Sequence, residues 1–163
     1  MGKRALLSAG LLTTASLTGI HVSWVHFASN LYPYSVSQPS SFKHVVLQDA
    51  ADHRIDYFYP ALGSFTTNVN IWGQRDGTLQ DEAREIEALG GRHVRRIGTL
   101  EVMGRHRQVI RGDFRGISGR WSIEQVDFRS KGWSWHLTAS FDPRYKKMLP
   151  TLLHILRSFR IGS

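Results

Sequence analysis

The chain of 163 residues has no cysteine. That excludes a disulfide framework, a thiolate nucleophile, a cysteine-bound zinc and a lipoprotein cysteine. No internal repeat and no low-complexity segment is present. No glycine-rich phosphate loop follows a strand: the glycines at 73 and 77 and at 116 and 119 bracket turn signals, not P-loops or dinucleotide fingerprints. A G-x-S-x-G nucleophile elbow is missing. The eight histidines, at 21, 26, 44, 53, 93, 106, 136 and 154, form no H-x-x-x-H, H-E-x-x-H or H-x-H unit. A zinc site would therefore need convergence over long range. Nothing in these motifs points to a cofactor.

Acidic residues are the minority, 13 against 21 lysines and arginines, for a formal charge of +8. The surplus is concentrated. Arg92, Arg95, Arg96, Arg105, Arg107, Arg111, Arg115 and Arg120 face only Glu101 and Asp113 within that segment. A basic patch of this kind suits an anionic partner, whether nucleic acid, lipid headgroups or an acidic protein, or else a solvated sheet face. With 41% hydrophobic and 21% charged residues the composition is that of a globular protein, and the length suits one core-bearing domain.

Lys3 and Arg4 precede an uncharged, mainly apolar stretch over residues 5–20, and the next charged side chain is Lys43. A short basic start followed by such a run is a secretory signal pattern. Residues 1–29 are accordingly expected to be a signal peptide or membrane anchor, with residues 30–163 as the domain. Uncleaved, residues 5–27 have about the length that spans a bilayer.

Beyond this leader the pattern is mostly of period two. Residues 34–37, 42–47, 55–59 and 65–72 read as strands, the first stopped by Pro39. Residues 78–89 switch to helical spacing, with Thr78 as cap, Leu79, Ala83, Ile86 and Leu89 as an apolar stripe, and Asp81, Glu82, Glu85 and Glu87 facing water; Gly90 and Gly91 end it. Four further strands, 94–102, 106–114, 120–128 and 133–141, are separated by short glycine-bearing turns, which predicts an antiparallel meander. Trp121 and Ile123 are out of phase with Val126 and Phe128, which predicts a bulge near Glu124 and Gln125. Trp133, Trp135, Leu137, Ala139 and Phe141 alternate with Ser134, His136, Thr138 and Ser140, so the tryptophans belong to the core and His136 to the more polar side. Asp142 and Pro143 open a closing helix that Pro150 should kink or divide, and residues 159–161 suit a last short strand. The fold class is α+β: an antiparallel sheet of about six to seven strands flanked by helices.

Two clusters carry candidate chemistry. Arg105, Arg107, Arg111 and Arg115 share one parity and would stand in a row along one side of a strand, where guanidinium groups can grip phosphates or carboxylates. The row could also pair with the acids of the first helix. It lacks the aromatic interleaving of a single-strand nucleic-acid platform. Asp49, Asp52 and Asp56 could hold a hard cation, although the glycine and terminal glutamate of an EF-hand are missing.

Three short motifs resemble the PsbP-like family: Tyr34 to Phe42 with its proline and aromatic, Asn68-Val69-Asn70-Ile71, which is similar to the family's N-V-x-V strand, and Ile155-Leu156-Arg157-Ser158-Phe159, which resembles its closing I-x-x-S-F. The resemblance covers about residues 32–162 and implies an antiparallel sheet sandwiched by helices, α/β/α, in a protein that is not an enzyme. Photosynthetic members of that family are extrinsic lumenal proteins that assist the oxygen-evolving site of photosystem II and the retention of its calcium and chloride. Taken with the leader pattern and the arginine row, the resemblance leads to the expectation of an exported, extracytoplasmic, non-catalytic binding or assembly domain that meets a protein partner or membrane-surface complex, the row Arg105, Arg107, Arg111 and Arg115 being the contact for an anionic surface. Export disfavours nucleic acid as partner. A small exported hydrolase, with His136, a carboxylate and a serine gathered in a cleft between sheet and helix, is the alternative.

Overall fold

The computed structural model describes residues 22–62, 66–117 and 119–162. The N-terminal part of the expected leader therefore lies outside the described residues. Its C-terminal part is strand β1 (Trp24–Ala28), which pairs antiparallel with β2 (Tyr34–Pro39), so the folded domain starts upstream of the boundary expected at residue 30. Tyr34–Pro39 is thus the second strand and not the first. Among the described residues, no helix is long and apolar enough to cross a membrane.

Seven strands make the main sheet: β3 (Phe42–Gln48), β4 (Arg54–Pro60), β5 (Asn68–Arg75), β6 (Arg92–Val102), β7 (Arg105–Gly116), β8 (Gly119–Ser130) and β9 (Trp133–Phe141). Their order is β3-β4-β5-β9-β8-β7-β6, and every pairing is antiparallel. The expected meander is the run from β6 to β9. Two of its turns, at Met103-Gly104 and Lys131-Gly132, place both residues at positive φ (55° and 69°; 51° and 76°), the conformation in which a two-residue loop matches the twist of its strands. A second, three-stranded sheet joins β1, β2 and β10 (Arg160–Ile161).

The two faces of the main sheet bury different clusters. One packs Leu100, Val102, Val109, Val126, Phe128, Trp135, Leu137 and Phe141 against Tyr34 and Val36 of the small sheet and against helix α2 (Leu149–Arg157), which buries Leu152, Ile155 and Leu156. Pro150 lies in the first turn of α2, where its missing donor costs nothing, and it divides this helix from a 3-10 turn over Pro143–Met148 that Asp142 caps. Trp135 is fully buried and Trp133 packs beside it, as their parity predicts.

The other face carries helix α1 (Glu82–Ala88) and a smaller cluster of Ile86, Ile110 and Ile123 with Val94, Phe114 and Trp121 at its rim. This corrects the bulge expected in β8. The register from Ser122↔Phe141 to Ser130↔Trp133 is continuous. The change of phase arises because Trp121 and Ile123 belong to the α1 face while Val126 and Phe128 belong to the α2 face. The irregularities fall instead in edge strand β6, between Arg92 and Arg95 and between Arg96 and Gly98.

Helix α1 also starts later than expected. Asp81, not Thr78, is the N-cap, accepting from the Ala83 amide. Only Ala83 and Ile86 of the stripe face the sheet, and Leu89, the C-cap, is largely exposed because the Gly91 amide turns back to the Ile86 carbonyl. Two glycines let the helix sit close: a Cβ on Gly112 or Gly91 would lie 2.5 or 2.6 Å from Cγ2 of Ile86.

Candidate functional site

All four predicted arginines stand on the α2 face of β7, the parity that Val109 shares. Helix α1 covers the opposite face, so the alternative pairing with its acids does not form. The four are unequal. Arg111 is paired with Glu124, which is buried directly across the strand pair. Arg107 lies half-buried with its guanidinium 4.4 Å from the ring centre of Phe128, and burial, with Arg105 beside it, holds its pKa below the usual arginine value. Arg105 and Arg115 are exposed at the two ends of the strand.

Around Arg115 a compact basic cleft forms. Arg115 faces Arg120 across the β7–β8 pair, like charge against like. With Arg92, His93, Asp113, Ser122 and the stacked rings of Phe114 and Trp121 (5.5 Å apart, 6° between planes) they line a cleft of about 370 Å³. Asp113 meets His93 at 3.4 Å and Arg95 at 3.9 Å and accepts from Ser122. Among the described residues, Arg92, Arg115 and Arg120 have no ion-pair partner.

The second cluster lies under α1. Asp127 and His136 are cross-strand partners on β8 and β9, with His136 Nδ1 3.2 Å from Asp127 Oδ2. The contact is close enough for an ion pair but is not aligned as a hydrogen bond, and Asp127 Oδ1 has no hydrogen-bond partner either. Gln125 Nε2 donates to Asp127 Oδ2 at 2.9 Å. Trp72 stacks flat on the His136 ring, 3.9 Å between centres, with His53 on its other face at 4.2 Å. From α1, a carboxylate oxygen of Glu85 joins Asp127 and His136 so that one ligand atom from each lies within 4.8 Å of the others. Glu82, one turn earlier, is half-buried beside a cleft of about 350 Å³ that Arg96, Gln108 and Ile110 also line. Burial first, and the Asp127 charge second, push its pKa up to about 7. Glu82 and Glu85 were both expected to face water; the close seat of α1 turns them toward the sheet instead.

Of these residues the sequence singled out only His136. Asp127 was legible in principle: a two-residue turn at Lys131-Gly132 fixes position 127 opposite 136.

Asp49, Asp52 and Asp56 do not converge. Asp49 and Asp52 shape an exposed turn, where Asp49 accepts from the Ala51 and His53 amides. Asp56 is fully buried in β4 and accepts from Ser29 Oγ, from Tyr34 Oη at 2.7 Å and from His44 Nε2 at 2.7 Å. Burial and this carboxylate raise the Tyr34 pKa. A serine, a carboxylate and a histidine thus meet, but in an order that activates nothing, because the acid stands between the hydroxyl and the imidazole. Nucleophilic catalysis needs the imidazole in the middle. Among the described residues, no serine hydroxyl bonds to a histidine.

Solved structures share this architecture. The solution structure of a cyanobacterial PsbP, CyanoP from Synechocystis sp. PCC 6803, aligns over 93% of this chain and 99% of its own, with a TM-score of 0.51 at 15% identity. The fold is PsbP-like. A crystal structure of a protein from Bacteroides thetaiotaomicron VPI-5482 aligns over 85% of this chain with a TM-score of 0.56 at 11% identity, and there the chain spans about half, 48%, of the longer protein. No protein-family model matches the chain, nor does any curated protein. None of the residues that line the basic cleft belongs to the Glu85, Asp127 and His136 cluster, so the two are separate sites.

Proposed function

We propose that this PsbP-like chain is a non-catalytic binding or assembly domain that works outside the cytoplasmic membrane and docks through its arginines on an acidic protein surface of a membrane complex. The observation that supports this most is the group Arg92, Arg115 and Arg120, three exposed arginines gathered around one cleft that, among the described residues, have no ion-pair partner, with Asp113 the one carboxylate in the lining and itself engaged by His93 and Arg95. Two of them face each other across a strand pair, an arrangement that costs energy until an anion lies between them. Guanidinium forks suit carboxylates in a bidentate way. Of the four arginines in the row, Arg115 joins this contact directly, Arg105 stands exposed at the far end of the strand, and Arg107 and Arg111 serve the fold. The charged leader pattern and the PsbP-like fold support an extrinsic location.

Fractionation of cells that produce the full chain tests the reading. The domain is expected to sediment with membranes at low ionic strength and to be released when salt shortens the screening length from about 10 Å at 0.1 M to about 3 Å at 1 M. The double variant Arg115→Glu with Arg120→Glu should be released already at low salt. Retention that ignores both salt and charge reversal would argue against an electrostatic dock.

A further inference from the structure

The cluster under α1 has no part in that docking, and its chemistry is of another kind. We propose that Glu85, Asp127 and His136 form a three-ligand site for a divalent transition-metal ion of the zinc class.

The geometry is nearly that of an occupied site. Zinc bonds to nitrogen and oxygen are about 2.0–2.2 Å long, so ligands at tetrahedral corners lie roughly 3.4 Å apart. His136 Nδ1 and Asp127 Oδ2 are already at 3.2 Å, and the whole set spans 4.8 Å. A rotamer change of the half-buried Glu85 closes the difference.

Two of the three ligands are also held ready and unpaid. Asp127 and His136 are 9% and 6% exposed, yet Asp127 Oδ1 and His136 Nδ1 lack hydrogen-bond partners. Buried polar atoms without partners are uncommon and costly. A plain histidine–aspartate ion pair leaves Asp127 Oδ1 unmet and gives Glu85 no role. A cation seated between the three meets both orphan atoms.

Outer contacts fix the ligands as metal sites require. Gln125 holds Asp127 Oδ2, Thr138 Oγ1 lies 3.4 Å from Gln125 Oε1, and Trp72 holds the imidazole plane. The donor set selects the ion. Calcium and magnesium take oxygen ligands, whereas an imidazole nitrogen with two carboxylates suits zinc and its neighbours. Three protein ligands leave a fourth position for water or a further ligand.

Zinc chloride added to the EDTA-treated full chain is the test. At a zinc concentration about 100 times the dissociation constant, the melting temperature should rise by roughly 5–10 °C, and one zinc per chain should remain after desalting. Glu85→Gln is the decisive variant, since Glu85 lies on the helix and its loss leaves the buried pair intact. It should melt like the parent in EDTA and lose zinc affinity by about tenfold or more. His154→Ala, an exposed histidine of α2 on the opposite face of the sheet, should keep the full zinc response. An equal zinc response in Glu85→Gln and the parent overturns the proposal, and so does a parent chain that neither gains stability nor retains zinc.

Discussion

Glu82 holds its proton to about pH 7 instead of its ordinary 4.5, because burial disfavours its charge and Asp127 adds to the effect. A folded-state pKa raised above the unfolded one means that the native chain binds the proton more tightly. The stability this gives is complete below pH 4.5 and is lost as pH rises through 7. Urea titrations of metal-free protein should show the parent weakening between pH 4.5 and 7.5 relative to Glu82→Gln, which keeps a neutral side chain throughout. Arg111 makes an opposite case. Its partner Glu124 is buried, so Arg111→Ala strands a carboxylate and should cost about 3 kcal/mol, whereas replacing both with apolar side chains of similar volume should recover most of that. Denaturant midpoints of the two variants measure the difference. Neither role was legible in the chain. Parity placed Arg111 in a row with Arg105, Arg107 and Arg115, but alternation alone says nothing of what stands across the next strand. It was the register that joined Arg111 to Glu124.

At the scale of elements, α1 shows where periodicity misleads. Seven residues are too few for an apolar stripe to be read with certainty from spacing, and Leu79 and Leu89 fall outside the helix. What seats α1 is a contact between Ile86 and the bare backbone of Gly112. Gly112→Ala places a methyl 2.5 Å from Ile86 Cγ2 and should cost about 1–3 kcal/mol by overpacking, read by thermal or urea unfolding. The same change should lift Glu82 from the sheet and bring its pKa back toward 4.5. From β2 onward the strands were legible because period two survives context; β1 was hidden in the stretch that reads as a leader. The exception is β8, whose two ends bury apolar side chains on opposite faces. A sequence pattern that assumes one buried face reads this as a bulge.

For the molecule as a whole, β1 changes the account of the N-terminus. Phe27 packs on His44 and Phe58, and Ser29 donates to Asp56, so residues that resembled the end of a leader fasten the small sheet to the large one. If the leader is removed, the processed chain is expected to begin at or before Ser23, whose carbonyl accepts from the Ser40 amide; Edman sequencing of the chain purified from cells checks this. A chain that starts at residue 30 should be markedly less stable in the same urea titration.

The position of β6 in the strand order has one further consequence. Among the described residues β6 has a strand neighbour on one side only, and such an edge is a template on which another copy could grow. Arg92, Arg95 and Arg96 stand there, at the two register breaks. Repulsion between identical basic rims, together with the irregular register, disfavours edge-to-edge pairing of copies. Neutralising those three side chains should make the protein prone to self-association even where its fold is intact.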